Sequence, residues 1–295
     1  MEVTILDYPV NGEETLAKCG MATTTSSPPT EYDIEQKEIE KFIETGRSME
    51  LSSVFDFPQI IYQVKDVSRS FTHQHVRHRM AAHMQQSMRY VEIDPSLEKE
   101  PFFVIPPSII EKGKQSVLGY IKSQINSAKQ YKSLINKELP SEDARFSLPI
   151  GTKTFLSTAM NVESLLHYFN VRSCYDSQWE IRTNSYALIA GCKLIYPNIF
   201  NKCGPHCIRG KCKGRGNGKC REKAINLLKD IEKRVNKKRN KFNRLKPGEK
   251  IKFDLTDLLG YQADPELEKE IAHELDIEKI NLDRKVNLEI KKPEN

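Results

Sequence analysis

The sequence predicts a mixed α/β fold (α+β in the broad sense), and three observations predict it. Residues 2–8 alternate apolar and polar side chains, and residues 54–65 are dense in β-branched and aromatic ones, both signs of strands. Residues 107–137, about Thr158 to Arg172, and 223–246 instead repeat their apolar side chains near helical spacing. Hydrophobic residues make up 38% of the chain and charged residues 29%, so the surface is polar. No apolar run approaches the roughly 20 residues that a membrane span needs.

In chain order, Val3 and Ile5 define the opening strand, with Leu6 adding bulk, and Pro9 and Gly12 end it. A short helix over 13–20 contains Cys19, and a polar loop over 23–30 holds Pro28 and Pro29. Asp33 is expected to cap a charged helix running to about Thr45, with Ile34, Ile39 and Phe42 inward and Gly46 at its C-terminus. The strand over 54–65 is interrupted at Pro58. Ser68 caps a helix that delivers Gln74 and Arg77, three apart and on one face if the helix persists. One long helix is expected over 107–137, where Tyr120 and Tyr131 belong to core packing. The helix from near Thr158 carries Asn161, Leu165, His167 and Arg172, and after residues 176–182 another runs to about Tyr196. A basic helix over 223–246, a strand and turn over 251–259, a Glu/Lys-rich helix from Pro265 and a frayed end after Pro293 complete the chain.

The length, 295 residues, suits one large domain or a domain with an extension. The N-terminus lacks the basic and apolar regions of a signal peptide, which points to the cytoplasm. Residues 221–250 hold twelve Lys/Arg against four Asp/Glu, and this balance of +8 exceeds the whole chain's +6. The basicity therefore belongs to one segment. Seven Cys in such a chain read as reduced thiols or metal ligands rather than as a disulfide framework.

The chain is organised around residues 74–90, Gln-His-Val-Arg-His-Arg-Met-Ala-Ala-His-Met-Gln-Gln-Ser-Met-Arg-Tyr. Arg77, His78 and Arg79 are followed by Ser87, Arg89 and Tyr90. Several guanidinium forks and a hydroxyl in one short segment suit phosphate oxygens, which accept charge-assisted bidentate bonds. The alternative is a solvated basic turn. The segment resembles the signature of the flavin-dependent thymidylate synthases: Arg-His-Arg, seven variable residues, Ser, then Arg-Tyr. A second block agrees with the family in order: Ala144-Arg145, Leu148-Pro149, Asn161, Leu165, Arg172, and Gln178, Glu180, Ile181 and Arg182. The resemblance spans roughly residues 2–222.

The resemblance implies reductive methylation of dUMP to dTMP, a step of nucleotide biosynthesis. Methylenetetrahydrofolate supplies the carbon and NADPH, through FAD, the hydride. It implies that dUMP is held by Gln74, Arg77, Gln85, Ser87, Arg89, Arg145 and Arg172. Arg172 would lie against the pyrimidine, where a fixed cation stabilises charge developing on the ring. Taken singly, Arg172 could instead offset a helix dipole and Arg145 form a surface ion pair. For FAD the implied residues are Arg77, His78, Arg79, Asn161 and His167. A Gly-rich dinucleotide fingerprint is not used by this family, and none is present. No Cys lies within the signature, so no covalent catalyst is assigned. A homotetramer with sites built between subunits is also implied.

Departures cluster around the flavin and folate positions. Ala82, Met84 and Gln85 replace Ser, Asn and Glu within the signature, Glu163 replaces an Arg, and Asp56-Phe57 stands for a Glu-His pair. A related pyrimidine-nucleotide hydroxymethylase and a catalytically inactive nucleotide- or nucleic-acid-binding relative are therefore the alternatives. Residues 1–200 make the synthase-like core. Residues 201–222 form a Cys/Gly-rich segment with Gly204, Gly210, Gly214, Gly216 and Gly218. Its Cys203, Cys207, Cys212 and Cys220 form a candidate zinc set, the alternative being a thiol-rich surface loop. Residues 223–295 form an extension. Its basic cluster could meet nucleic acid, pair with acidic subunits or solvate a helix end. Phe242 is the one stacking aromatic within it, which argues against nucleic acid.

Overall fold

The computed structural model describes residues 1–295 except 32, 50, 95–100, 216–217 and 295. In order, the elements are β1 (Glu2–Asp7), α1 (Gly12–Met21), α2 (Gln36–Ser48), β2 (Gln59–Ser68), α3 (Arg69–His75), β3 (Ala81–Gln85), α4 (Pro107–Ile110), α5 (Lys114–Ile135), α6 (Ser141–Ala144), β4 (Lys153–Asn161), α7 (Val162–Arg172), α8 (Trp179–Ile195), α9 (Arg221–Asn243), β5 (Lys250–Asp254), α10 (Thr256–Leu259), α11 (Pro265–Leu275) and β6 (Asn287–Lys291). Short 3-10 turns lie at Ser52–Asp56, Arg145–Ser147 and His206–Ile208.

The strands form one sheet in the order β3-β4-β2-β1-β6-β5. All neighbouring pairs are antiparallel except β1 with β6, which runs parallel from Glu2↔Asn287 to Ile5↔Ile290. The period of two read in β1 recurs in β2, where Ile60, Tyr62 and Val64 are buried, and in β4, where Leu156, Thr158 and Met160 are. That face packs on α8, whose residues Thr183–Ile195 are all buried. The packing is close: a Cβ on Gly191 would stand 2.5 Å from Ile5 Cδ1 of β1. The opposite alternation leaves Leu6, Met84 and Phe155 exposed, as expected for an antiparallel sheet packed on one side. A smaller core joins α5 to α11 through Val117, Ile121, Ile271 and Ala272.

Several expected boundaries move. The polar cap of α2 is a Glu35–Glu38 capping box instead of Asp33, and Gly46 lies within the helix. Residues 52–56 form a 3-10 turn, so the strand begins only after Pro58. Gly113, at φ +84°, separates α4 from α5 where one helix was expected. Residues 153–161 are a strand, so Asn161 precedes α7 instead of riding on it. The helix ending near Tyr196 starts at Trp179 and includes Glu180, Ile181 and Arg182. Strand β6, unforeseen in the charged tail, brings the end of the chain into the central sheet. Gly216 lies outside the described residues.

Candidate functional site

The site is built where β2 hands the chain to α3. The Ser68 hydroxyl accepts from Phe71 N at 3.0 Å, capping α3 as expected. The helix ends at His75, before Arg77, so Gln74 and Arg77 do not share a helix face. The chain then turns through Arg77-His78-Arg79 into the edge strand β3. A buried polar spine holds this turn from behind. His75 Nε2 lies 3.2 Å from both the Tyr62 and the Thr158 hydroxyls, and its Nδ1 lies 3.4 Å from the Tyr168 hydroxyl. Its ring stacks on Phe71 at 5.1 Å, and burial holds its pKa well below the ordinary value. His83 reaches the His78 carbonyl at 3.1 Å through Nε2 and the Thr158 hydroxyl at 3.0 Å through Nδ1. A carbonyl only accepts, so the His83 proton sits on Nε2.

Arg172 closes α7 and donates from Nε to His78 Nε2 at 2.9 Å. Guanidinium has no acceptor, so His78 must be neutral and carry its proton on Nδ1. Burial, followed by the Arg172 charge, lowers the His78 pKa to about 4. Arg172 and Gln74 line one cleft of about 510 Å³ together with Gln178. A pH dependence follows. Between pH 6.5 and about 4 the unfolded chain binds a proton at this residue that the folded site refuses, so His78 costs stability as pH falls through that window and nothing above it. His78→Asn is expected to flatten the fall in Tm between pH 6.5 and 4, while His75 retains part of the slope. Thermal unfolding across that range checks it, and parallel profiles for variant and wild type would remove the assignment.

The remaining nucleotide candidates form a second group. Gln85 donates to Thr72 Oγ1 at 3.0 Å, and Ser87 Oγ accepts from Arg89 N at 3.2 Å. Arg89 Nε pairs with the Glu142 carboxylate at 2.6 Å, and Arg145 Nε donates to the Glu142 carbonyl at 3.0 Å. Arg69, which the sequence reading passed over, donates to the Gln86 carbonyl at 3.3 Å. Its pKa is lowered by burial and then by the nearby Arg145 charge. The guanidiniums of Arg69 and Arg145, close enough for the charge of one to lower the other's pKa, suit an anion. The only sign of Arg69 in the sequence is its place directly after the helix-capping Ser68.

The flavin candidates border the first group. Arg77 and Arg79 are exposed, and neither forms an ion pair among the described residues. His167 lies 6.1 Å from His78, ring to ring. Asn161 caps α7 by accepting from Ser164 N at 2.8 Å and donates to Asp56 at 2.7 Å. Glu163 stands by Asp56, and its pKa is raised by burial first and by Asp56 second. Of the departing residues, Phe57, Ala82 and Met84 are exposed.

The expected zinc set is not assembled as read. Among the described residues, no group of three or more His, Cys, Asp or Glu is set to hold a metal ion as it stands. Cys203 is 2% exposed within the main core, while Cys207 and Cys212 line the cleft below Arg172. Hydrophobic packing of Cys203 turns it away from the loop, which sequence spacing alone could not register. Among the described residues no helix is long and apolar enough to cross a membrane.

The family described as "Thymidylate synthase complementing protein" matches residues 4–198. The flavin-dependent thymidylate synthase of Pyrococcus furiosus is 33% identical over 222 residues, covering 73% of this chain and 90% of the relative. That of Clostridium tetani is 30% identical over 230 residues, covering 72% and 90%. Among solved structures, the flavin-dependent thymidylate synthase of Helicobacter pylori, complexed with FAD and dUMP, aligns with a TM-score of 0.56 at 20% identity over 69% of this chain and all of that one. The UMP/dUMP methylase PolB of Streptomyces cacaoi, bound with 5-Br dUMP, aligns at 0.61 and 16% identity, over 68% and 92%. The two structures speak for the fold, and the family match and the two relatives place the chain in the flavin-dependent thymidylate synthase family.

Proposed function

We propose that this enzyme methylates C5 of dUMP to give dTMP, with methylenetetrahydrofolate as carbon donor and NADPH as the source of reducing equivalents. The observation that carries the reading is Arg172, fixed at one nitrogen by neutral His78 and facing the cleft it lines with Gln74 and Gln178. A cation held in this way need not reorganise when negative charge develops on the pyrimidine. Arg69, Arg145, Ser87 and Arg89 would bind the phosphate, with Glu142 orienting Arg89 and Arg145. Gln85, tied to Thr72, would sit beside them.

The residues present fit FAD. Arg77 and Arg79 are exposed cations suited to a pyrophosphate, and His78, His167 and Asn161 border them. Glu163, whose pKa burial and then Asp56 raise, opposes this charge pattern. When bound, FAD supplies the hydride that completes the methyl group. The chain's own residues then orient the base and exclude water from the cleft. A homotetramer is part of the proposal. The nucleotide residues fall into two groups, and Met80, Met84, Phe146 and Ile150 are exposed large apolar side chains near them, which suits completion of each site by a neighbouring subunit.

The test is mass spectrometry of the nucleotide after incubation of the purified protein with dUMP, FAD, NADPH and methylenetetrahydrofolate. A methyl gain on the base is expected. A hydroxymethyl gain would mean that water intercepts the methylene intermediate, and unchanged dUMP from folded, FAD-loaded protein would overturn the reading.

A further inference from the structure

Thr158 stands near the middle of β4, opposite Tyr62 of β2 on one side and His83 of β3 on the other. It is 1% exposed, so its hydroxyl must find its partners inside the protein. It meets two imidazoles, His75 Nε2 at 3.2 Å and His83 Nδ1 at 3.0 Å. A hydroxyl has one hydrogen, so it donates to only one of them. Tyr168 of α7 and Asn184 of α8 carry the contacts on from His75, with Asn184 Nδ2 lying 2.9 Å from the Tyr168 hydroxyl.

The direction of every proton follows from one end. The His78 carbonyl can only accept, so a neutral His83 donates from Nε2 and accepts at Nδ1. The Thr158 hydrogen is therefore spent on His83, and toward His75 the Thr158 oxygen can only accept. His75 then carries its proton on Nε2, shared between the Thr158 and Tyr62 oxygens, and Tyr62 in turn donates to the Met160 sulfur at 3.8 Å. A His75 protonated on Nδ1 instead would set two lone pairs face to face at Thr158. The bare Nδ1 accepts from the Tyr168 hydroxyl, whose oxygen accepts from Asn184. Members of this chain also hold His78 itself. The His78 amide donates to the His75 carbonyl at 3.2 Å, and its ring lies 4.8 Å from the Tyr168 ring.

We infer that Thr158 is a positioning residue of this enzyme. Its hydroxyl orients a one-way chain of hydrogen bonds from Asn184 through Tyr168, His75, Thr158 and His83 to the His78 carbonyl, and so sets the turn against which Arg172 is fixed. Thr158 does not line the cleft, so it acts only through His78. Without the hydroxyl, His83 Nδ1 loses its donor, and the ring that holds the His78 carbonyl is free to turn. His78 Nε2 shifts with its backbone, and Arg172 loses the fixed acceptor for its Nε. Charge stabilisation depends on that geometry, because a preorganised cation is worth most when it need not move. Phosphate binding does not depend on it, since Arg145 and Arg89 are anchored separately on Glu142. The kinetic consequence rests on the reading of Arg172 given above, whereas the direction of the chain does not.

The test compares Thr158→Val, which keeps the shape and loses the hydroxyl, with Thr158→Ser, which keeps the hydroxyl and loses a methyl. Thr158→Val is expected to lower kcat with dUMP by about tenfold or more while KM for dUMP stays within about twofold of wild type. Thr158→Ser is expected to restore most of kcat. Circular dichroism confines the comparison to folded protein. A folded Thr158→Val with unchanged kcat, or a Thr158→Ser as slow as Thr158→Val, would overturn the positioning role. Nitrogen-15 spectra of histidine-labelled wild type test the chain without turnover. They decide should Thr158→Val fail to fold, or should wild type leave dUMP unchanged. His75 and His83 protonated on Nε2 are expected, with His78 protonated on Nδ1. A neutral His75 or His83 protonated on Nδ1 would overturn the chain.

Discussion

Arg172→Ala is expected to lower kcat for dTMP formation by about 10²–10³-fold, the cost of removing one preorganised charge stabiliser from a transition state. The fold should survive. Arg172 is half-buried at the end of α7, and its lost bond to His78 is worth about 0.5–1.5 kcal/mol. Its favourable interaction with the helix C-terminus is worth about 0.3–1 kcal/mol. Arg172→Lys separates charge from geometry. It keeps the cation but loses the planar fork that fixes Arg172 against His78, so an intermediate kcat is expected. Steady-state kinetics with dUMP, alongside circular dichroism, check both variants. Unchanged kcat in Arg172→Ala, with KM alone raised, would reduce Arg172 to ground-state binding.

What was legible in the sequence was local. Ser68 caps α3 because a serine hydroxyl can satisfy a free amide within its own turn, and no distant residue is needed to see that. Strand β1 and helix α9 follow from their own periodicity, and helix α11 from its Glu/Lys-rich composition after Pro265. What was not legible depends on partners far away in the chain. Residues 158–161 look compatible with a helix, but pairing with β2 and β3 on either side makes them strand, and this moves Asn161 from helix face to helix cap. Strand β6 is five residues in a charged tail, and only its pairing with β1 and β5 makes it a strand. The site follows the same division. Arg77, His78, Arg172 and Arg145 could be found by the order of residues they share with the synthase family, whereas Arg69 acquires a role only through neighbours remote in sequence.

Glu180→Ala is expected to be the most destabilising of the variants considered. The Glu180 carboxylate is 1% exposed and accepts from Ser68 N at 3.1 Å, from the Ser68 hydroxyl and from Arg284 Nη2 at 3.2 Å. The Arg284 side chain is 11% exposed, lies over the Trp179 ring at 4.2 Å and has no partner for its Nε among the described residues. One carboxylate thus joins the end of β2, the first turn of α8 and the segment leading into β6. Its removal strands a buried guanidinium and a buried amide, a loss of about 3–5 kcal/mol. At about 2–4 °C per kcal/mol this lowers Tm by roughly 6–20 °C. The double variant Glu180→Leu with Arg284→Met removes both charges, so neither is left unpaired. It should be more stable than Glu180→Ala, because the cost of a broken buried pair lies mainly in the abandoned partner. Thermal unfolding of Glu180→Leu, of Arg284→Met and of the double decides. Single losses that simply add in the double would show that Glu180 and Arg284 are not coupled. Recovery in the double would show that the pair fixes the junction from which α3 presents Gln74 to the cleft, at little net gain in stability.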